Sequence, residues 1–158
     1  MNSVNYIKIE FPSRSSNEAL ARMTAAAFAS QLDPTMEELG DIKTAVSEAV
    51  TNAIVHGYRG RTGTVELIMR QYAGGVFYIC VKDKGAGIAD IEQAMTPLFT
   101  TAPEEERSGL GFSVMESFMD SVSVKSAPGR GTAVAMEKRI SAHTHAAETS
   151  PEKQVSCP

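Results

Sequence analysis

The middle of the chain contains the segment Glu48-Ala49-Val50-Thr51-Asn52-Ala53, in which two long polar side chains interrupt small or apolar neighbours. Glu48 and Asn52 are four residues apart, so on a helix they project from the same face. A carboxylate there can accept a proton from an attacking hydroxyl, and an amide oxygen can ligate Mg²⁺. An arbitrary pair at this spacing is usually a solvated surface pair, but this apolar setting favours a functional role.

Five strands are predicted around this segment from alternating or continuous apolar residues. They cover residues 5–11, 64–70, 76–81, 121–125 and 132–137, and Gly74-Gly75 is a hairpin signal. With the helices, the predicted order is β-α-α-β-β-loop-α-β-β. Tight turns between consecutive strands predict an α+β fold, a two-layer sandwich in which a mostly antiparallel sheet carries helices on one face.

Two helices are predicted between the first and second strands, and the polar pair lies on the later one. The earlier helix is expected to begin at a capping box formed by Ser15 and Glu18. Its predicted apolar face consists of Leu20, Met23, Ala27 and Phe28. The later helix is expected to begin at Asp33-Pro34, because Asp is a good N-cap and Pro is tolerated in the first turn. Gly57 is expected to end it in a left-handed conformation.

The composition is that of an ordinary globular domain, with 42% apolar residues, 22% charged residues and a net charge of −4. Residues 1–140 are predicted to form one domain, and the polar segment 141–158 a disordered tail. The acidic balance argues against direct nucleic-acid binding, and no apolar stretch is long enough to span a membrane. Cys80 and Cys157 are expected to stay unpaired, which favours a reducing cytoplasm.

Two glycine-containing motifs suggest how a nucleotide is held. Asp83-Lys84-Gly85-Ala86-Gly87 follows the most apolar strand, where an aspartate can accept a hydrogen bond from an exocyclic amine such as that of adenine. Ser108-Gly109-Leu110-Gly111-Phe112 opens a helix predicted over residues 110–119, where free N–H groups attract phosphates. A long aperiodic loop, residues 83–108, separates strand and helix. Each motif alone is compatible with a plain turn or hinge.

Together and in this order, the three motifs resemble the Bergerat (GHKL) fold of gyrase-type topoisomerases, sensor histidine kinases and mismatch-repair ATPases. The resemblance implies that ATP and Mg²⁺ bind, with Glu48 as the catalytic base, Asn52 on Mg²⁺ and Asp83 on adenine. It also implies further nucleotide contacts from Gly85, Gly87, Thr100, Thr101, Arg107, Ser108, Gly109, Leu110, Gly111 and Thr132.

Within that superfamily, about residues 5–140 resemble the anti-sigma F factor family of spore-forming bacilli, most clearly in stretches 31–58 and 97–112. The resemblance implies a cytoplasmic homodimeric serine kinase that binds sigma factor F in its ATP state and phosphorylates a serine of an anti-anti-sigma factor. Arg22 then resembles the arginine that docks the partner, although a solvated surface charge is the simpler interpretation.

Three other interpretations stay open at this point. A general-stress anti-sigma kinase would share the chemistry and bind another sigma factor. A binding module would sense ATP and sequester a partner without transferring phosphate, and an interaction domain with purely structural glycines would bind no nucleotide.

Overall fold

The computed structural model describes residues 2–95, 111–142 and 155–158. Its strands are β1 (Asn5–Pro12), β2 (Thr64–Tyr72), β3 (Val76–Asp83), β4 (Ser121–Ala127) and β5 (Gly131–Arg139). They form one sheet in the order β1-β2-β3-β5-β4, in which every neighbouring pair is antiparallel. Each predicted strand is present and slightly longer than expected. The strand β3 therefore lies at the centre of the sheet.

The described helices are α1 (Ser16–Ala29), α2 (Met36–Asn52), α3 (Ile91–Met95) and α4 (Gly111–Phe118). A 3₁₀ turn, Ser30–Leu32, follows α1, and a π-helical turn, Ala53–Gly57, continues α2. The short α3 was not predicted, since it lies inside the segment expected to be a loop. In the described ranges, no helix combines the length and apolar character needed to cross a membrane.

One face of the sheet packs against the helices and forms the main core. The strands contribute alternate residues, as the two-residue period of a strand requires: Val65, Leu67, Met69, Phe77, Ile79, Val81, Val134 and Met136. The helices contribute Ala21, Ala25, Ala29, Ile42, Val46, Val50 and Met115. This arrangement confirms the predicted α+β two-layer sandwich.

The predicted apolar face of α1 is confirmed at Phe28, which is buried, and wrong at Leu20, Met23 and Ala27. Leu20 and Met23 are 54% and 56% exposed, whereas Ala21, Ala25 and Ala29 are fully buried. Alanines carry little side chain, so they allow α1 to lie close against α2, and this close packing decides which face is buried. The larger apolar residues are thereby left on the surface of α1.

The helix α1 begins after Ser15 as predicted, but its predicted capping box is absent, and the predicted start of α2 is wrong. Ser15 makes no capping hydrogen bond, and Glu18 pairs instead with Arg22. The helix α2 begins after Thr35, whose Oγ1 accepts from the N–H of Glu38 at 3.1 Å while its own N–H donates to Glu38 Oε2 at 2.8 Å. A reciprocal capping box therefore starts α2 two residues after the predicted N-cap, Asp33, which has a left-handed φ of 53°.

The opposite face of the sheet, here called the outer face, is covered in part by residues 155–158. Val155 is buried there against Ile68 and Tyr78, and Cys157 forms a disulfide with Cys80. The expectation of two unpaired cysteines is therefore wrong, because the chain returns to the sheet and brings the two α-carbons within 5.7 Å. Residues 155–158 likewise differ from the predicted disordered tail, while residues 143–154 lie outside the described part.

Candidate functional site

A cavity of about 420 Å³ opens on the inner side of the sheet, where the end of α2 meets the end of β3 and the start of α4. Several residues singled out in the sequence line it, namely Asn52, Asp83, Gly87, Gly111 and Thr132. Apolar walls are supplied by Ala49, Val81, Ile88, Phe112 and Val134. A concave, largely apolar cavity with a few convergent polar groups is typical of a small-molecule site.

Asp83 is the buried acid of this cavity. It ends β3 directly opposite Thr132 of β5, and its Oδ1 accepts a hydrogen bond from the Gly85 N–H at 2.9 Å. Burial raises the pKa of Asp83 to about 6, although hydrogen bonds from the backbone N–H groups of Gly85 and Thr132 act in the opposite direction. A buried carboxylate with so few protein donors can accept a further hydrogen bond from a ligand amine.

Gly57 and Gly85 let the turn after β3 lie against the end of α2. A Cβ on Gly85 would come within 2.0 Å of the Gly57 carbonyl oxygen, which accepts a hydrogen bond from the Ala86 N–H at 2.7 Å. The expectation that Gly57 adopts a left-handed conformation is wrong, since its φ is not positive. Close approach to Asp83 and its turn, rather than backbone freedom, is what requires a glycine there.

Glu48 and Asn52 meet the start of α4 at Gly111. A Cβ built on Gly111 would lie 3.1 Å from Asn52 Nδ2 and 3.3 Å from Glu48 Oε2. The two polar side chains of α2 therefore point to the same place, as their spacing predicts. Asn52 lines the cavity itself, whereas Glu48 lies beside it at the helix start.

The remaining nucleotide contacts expected from the sequence are divided between the described and undescribed parts. Gly87, Gly111 and Thr132 line the cavity, and Gly85 lies against Gly57, which also lines it. Thr100, Thr101, Arg107, Ser108, Gly109 and Leu110 lie outside the described residues. Of the predicted phosphate-binding motif, the structure thus places Gly111 and Phe112.

Two side chains that the sequence did not single out brace the site. The Tyr58 hydroxyl donates to the Thr64 carbonyl at 2.5 Å and accepts from the Lys84 N–H at 2.8 Å, so it fixes the residue after Asp83. Ser126 Oγ lies 2.8 Å from Thr132 Oγ1 and accepts from the Ile88 N–H at 2.7 Å. Neither residue belongs to a recognisable motif, and their roles depend on tertiary contacts.

Arg22 lies on α1 at the edge of this region. Its Nη1 is 2.9 Å from Glu18 Oε1 and 3.5 Å from Ser47 Oγ, and its side chain is 36% exposed. Arg22 thus reaches the residue that precedes Glu48 while it remains partly open to solvent. The exposed Leu20 and Met23 lie on the same helix.

The oxygen donors of the site fit a magnesium–nucleotide complex better than a metal held by the protein alone. Within the described ranges, no group of three or more His, Cys, Asp or Glu side chains is placed to hold a metal ion. Mg²⁺ prefers hard oxygen ligands, often takes few from the protein and keeps water and phosphate oxygens for the rest. The Asn52 amide oxygen, which lines the cavity, is a ligand of that kind.

Residues 11–138 match the histidine kinase-like ATPase domain family. An anti-sigma F factor of Thermoanaerobacter sp. (strain X514) is 55% identical over 140 residues, covering 89% of this chain and 97% of the relative. An anti-sigma F factor of Geobacillus kaustophilus is 54% identical over 136 residues, covering 86% of this chain and 93% of the relative.

A solved structure of the RsbU and RsbW domains of Rv1364c from Mycobacterium tuberculosis resembles this chain with a TM-score of 0.63. The sequences are 15% identical, and the likeness covers 87% of this chain and 33% of the other. At that identity the likeness shows a shared fold.

Proposed function

The chain belongs to the anti-sigma F factor family and carries a histidine kinase-like ATPase domain, and from this premise we propose that it is an ATP- and Mg²⁺-dependent protein serine kinase. In this proposal it binds sigma factor F and phosphorylates a serine of an anti-anti-sigma factor. The observation that carries the proposal is the convergence of Asn52, Asp83, Gly111 and Thr132 on one cavity with Glu48 beside it.

The buried Asp83 would recognise the adenine of ATP. Its carboxylate accepts a hydrogen bond from the exocyclic amine, while Thr132, directly opposite in the sheet, lines the same part of the cavity. Gly85 lies against the Gly57 carbonyl and Gly87 against the Ala127 carbonyl, so backbone rather than side chains would border the ring here. A nucleotide with a carbonyl in place of the amine would bind more weakly, because its carbonyl oxygen and the Asp83 carboxylate are both hydrogen-bond acceptors.

The start of α4 would receive the phosphates. Gly111 begins α4, so backbone N–H groups and the positive end of the helix dipole face the region where Asn52 and Glu48 meet. Mg²⁺ bound at the Asn52 amide oxygen would neutralise phosphate charge there. Thr100, Thr101, Arg107, Ser108, Gly109 and Leu110 are proposed to complete this part of the site.

Glu48 is proposed to accept the proton of the attacking serine hydroxyl. Phosphoryl transfer depends mainly on positioning and on charge stabilisation, so the base needs to lie beside the phosphates rather than deep in the adenine pocket. Glu48 satisfies this requirement, since it lies one helical turn before Asn52 and within reach of Gly111. The packing of α1 against α2 positions Arg22 next to Ser47 on the same rim.

The exposed surface of α1 is proposed to bind protein partners. Arg22 there has the exposed apolar side chains Leu20 and Met23 on the same helix, a combination of charge and apolar area that protein interfaces favour. We also propose that the chain is a homodimer. The strand β1 lies at the edge of the sheet, Tyr6 on it is exposed, and Val4 just before it is exposed as well, so a second copy could pair there. Because the proposed partner, sigma factor F, acts on RNA polymerase, we propose that the protein is cytoplasmic.

Two assays separate this proposal from its alternatives. The first captures purified sigma factor F on the chain with ATP, with ADP and without nucleotide, and retention with ATP above that with ADP is expected. Retention of a general-stress sigma factor in place of sigma factor F would favour the alternative of a general-stress anti-sigma kinase. The second follows radiolabelled phosphate from ATP to the anti-anti-sigma factor. ATP-dependent capture without phosphate transfer would favour a binding module, and absence of ATP binding would favour a plain interaction domain.

A further inference from the structure

The centre of the outer face is an apolar patch built around a cysteine. Cys80 lies on the central strand β3, opposite Ile68 of β2 and Ala135 of β5, with Tyr78 two positions before it on the same face. Cys80 is fully buried and Ala135 is 1% exposed, although no helix of the described part packs on this side. Such burial on an otherwise open face requires a cover.

Residues 155–158, here called the strap, provide that cover. Val155 is 6% exposed and belongs to the same apolar cluster. The contacts then follow β3 in order: the Tyr78 hydroxyl donates to the Ser156 carbonyl at 2.7 Å, Cys80 is bonded to Cys157, and the Lys82 ammonium donates to the Pro158 carbonyl. Burial raises the pKa of Tyr78 to about 12, so its hydroxyl remains a protonated donor well into the alkaline range.

We propose that Cys80 and Cys157 form a reversible thiol–disulfide site, with low-molecular-weight thiols and disulfides as reactants, that fastens and releases the strap. Apart from the disulfide, the described contacts of the strap are one buried valine and two hydrogen bonds from side chains of β3. Contacts of this extent do not offset the conformational entropy of ordering four residues without a covalent bond. The disulfide therefore decides whether the outer face is covered.

The two sulfurs differ in access, which sets the direction of exchange. Cys157 is partly exposed, whereas Cys80 is covered by the strap. An incoming thiolate therefore attacks Cys157 Sγ, and the Cys80 thiolate leaves and takes up a proton. A second external thiolate attacks the external sulfur of this mixed disulfide, and Cys157 leaves as a thiolate that takes up a proton. Two electrons thus pass to the cysteine pair from two external thiols, which become one external disulfide. Oxidation reverses these steps and transfers two electrons from the cysteine pair to an external disulfide.

Release of the strap leaves the nucleotide cavity intact. The strap belongs to a separate cluster on the outer face, while the cavity opens among α2, the turn after β3 and α4 on the inner side. Redox state would thus uncover Ile68, Tyr78 and Ala135 without unfolding the ATP site. This expectation does not depend on the kinase activity proposed above.

The site is tested on the full chain equilibrated with reduced and oxidised glutathione at graded ratios and quenched with a thiol-blocking reagent. Mass spectrometry of the monomer is expected to give a Cys80–Cys157 linked peptide that disappears reversibly as reduced glutathione rises. A link found solely between two chains, or no linked peptide at any ratio, would overturn the proposal.

Release is tested by timed alkylation of the reduced, folded protein. Cys80 is expected to react within about tenfold of Cys157, because the strap that covers it has left. Protection of Cys80 comparable to that in a buried core would show that the strap stays in place without the disulfide, and would overturn the release step. Calorimetric ATP affinity is expected to be equal in the oxidised and reduced forms.

A matched pair of variants tests the role of strap packing. Val155→Ser removes the buried contact and is expected to shift the glutathione equilibrium about tenfold toward the dithiol, since burial of a valine favours the closed form by roughly that factor. Ser156→Ala is the control, because Ser156 is exposed and contacts Tyr78 through its backbone carbonyl. If the two variants had the same ratio of dithiol to disulfide at each glutathione ratio, the packing of the strap on the sheet would be refuted.

Discussion

The carboxylate of Asp83 lies directly against the α-carbon of Gly57. A Cβ built on Gly57 would come within 2.8 Å of Asp83 Oδ1 and 2.9 Å of Asp83 Cγ. The end of the α2 helical segment and the end of β3 thus meet without a side chain between them. This contact buries the acid and aims it into the cavity, so the geometry of the site depends on a residue that never needs to touch a ligand.

Gly57→Ala is expected to displace the Asp83 side chain, because a contact of 2.8 Å is shorter than real Cβ atoms show. We expect ATP affinity to fall by about tenfold or more and stability to fall by roughly 1–3 kcal/mol, as for overpacking in a core. Titration calorimetry and urea unfolding measure the two effects. Gly40→Ala is the control: Gly40 lies in α2 with nothing within 4 Å of a built Cβ, and it should gain up to about 1 kcal/mol with unchanged ATP binding.

The raised pKa of Asp83 makes a testable link between pH and stability. Its pKa is about 6 in the folded chain against an ordinary value of 3.8, so the folded state binds the proton more tightly. The proton on Asp83 stabilises the folded state fully when the pH is below the pKa of this group in the unfolded chain. This stabilisation is lost as the pH rises through about 6, and the free energy of unfolding falls by on the order of 3 kcal/mol in all. Asp83→Asn stays neutral and should therefore exceed the wild type in stability above pH 6.

Urea unfolding of wild type and Asp83→Asn at pH 4 and pH 7.5 measures this difference. Asp33→Asn is a matched control, since Asp33 is exposed and its left-handed conformation suits asparagine. A stability difference between wild type and Asp83→Asn that is the same at both pH values would contradict the buried, protonatable state of Asp83.

Glu48→Gln keeps the shape of the side chain and removes the proposed base. We expect transfer of phosphate to the anti-anti-sigma serine to fall by about 10²–10⁴-fold, the usual contribution of a general base. ATP affinity should stay within about twofold, since Asp83 and the start of α4 are untouched. Glu37→Gln, in the exposed first turn of the same helix, is the control. Transfer at the wild-type rate by Glu48→Gln would remove Glu48 from this role.

Tyr58→Phe removes the hydroxyl that bridges the Thr64 carbonyl and the Lys84 N–H. The variant is expected to lose about 1–3 kcal/mol, because it leaves buried backbone groups without a partner. ATP affinity should fall several-fold as the turn after Asp83 loosens. Tyr6→Phe, at a tyrosine that is 68% exposed, should change neither quantity. Equal thermal unfolding of the two variants would argue against the bracing role of Tyr58.

Local patterns in the sequence predict much of the fold and part of the site. The hairpin glycines Gly74 and Gly75 both have positive φ, as the turn between β2 and β3 requires. Glu48 and Asn52 share a direction because helical geometry fixes it at this spacing. The family resemblance, rather than a local pattern, implies that Asp83 and Thr132 serve one ligand, and they face each other across β3 and β5.

Features that depend on tertiary packing were missed. The alanine face of α1 is buried because α2 approaches it closely, although the larger Leu20 and Met23 suggested another face. Gly57 resembled a helix stop, and its contact with Asp83 depends on the return of the chain along β3. The pairing of Cys80 with Cys157 spans 77 residues, a distance at which sequence spacing carries no geometric information.

We expect the cavity around Asp83 to bind ATP, and calorimetric titration of the protein with ATP and Mg²⁺ measures this binding most directly. Wild type and Asp33→Asn should bind one ATP per chain with equal affinity. Asp83→Asn should bind at least about tenfold more weakly, since a neutral amide replaces a charged acceptor. Equal affinity of Asp83→Asn and wild type, or no binding by wild type, would contradict the account.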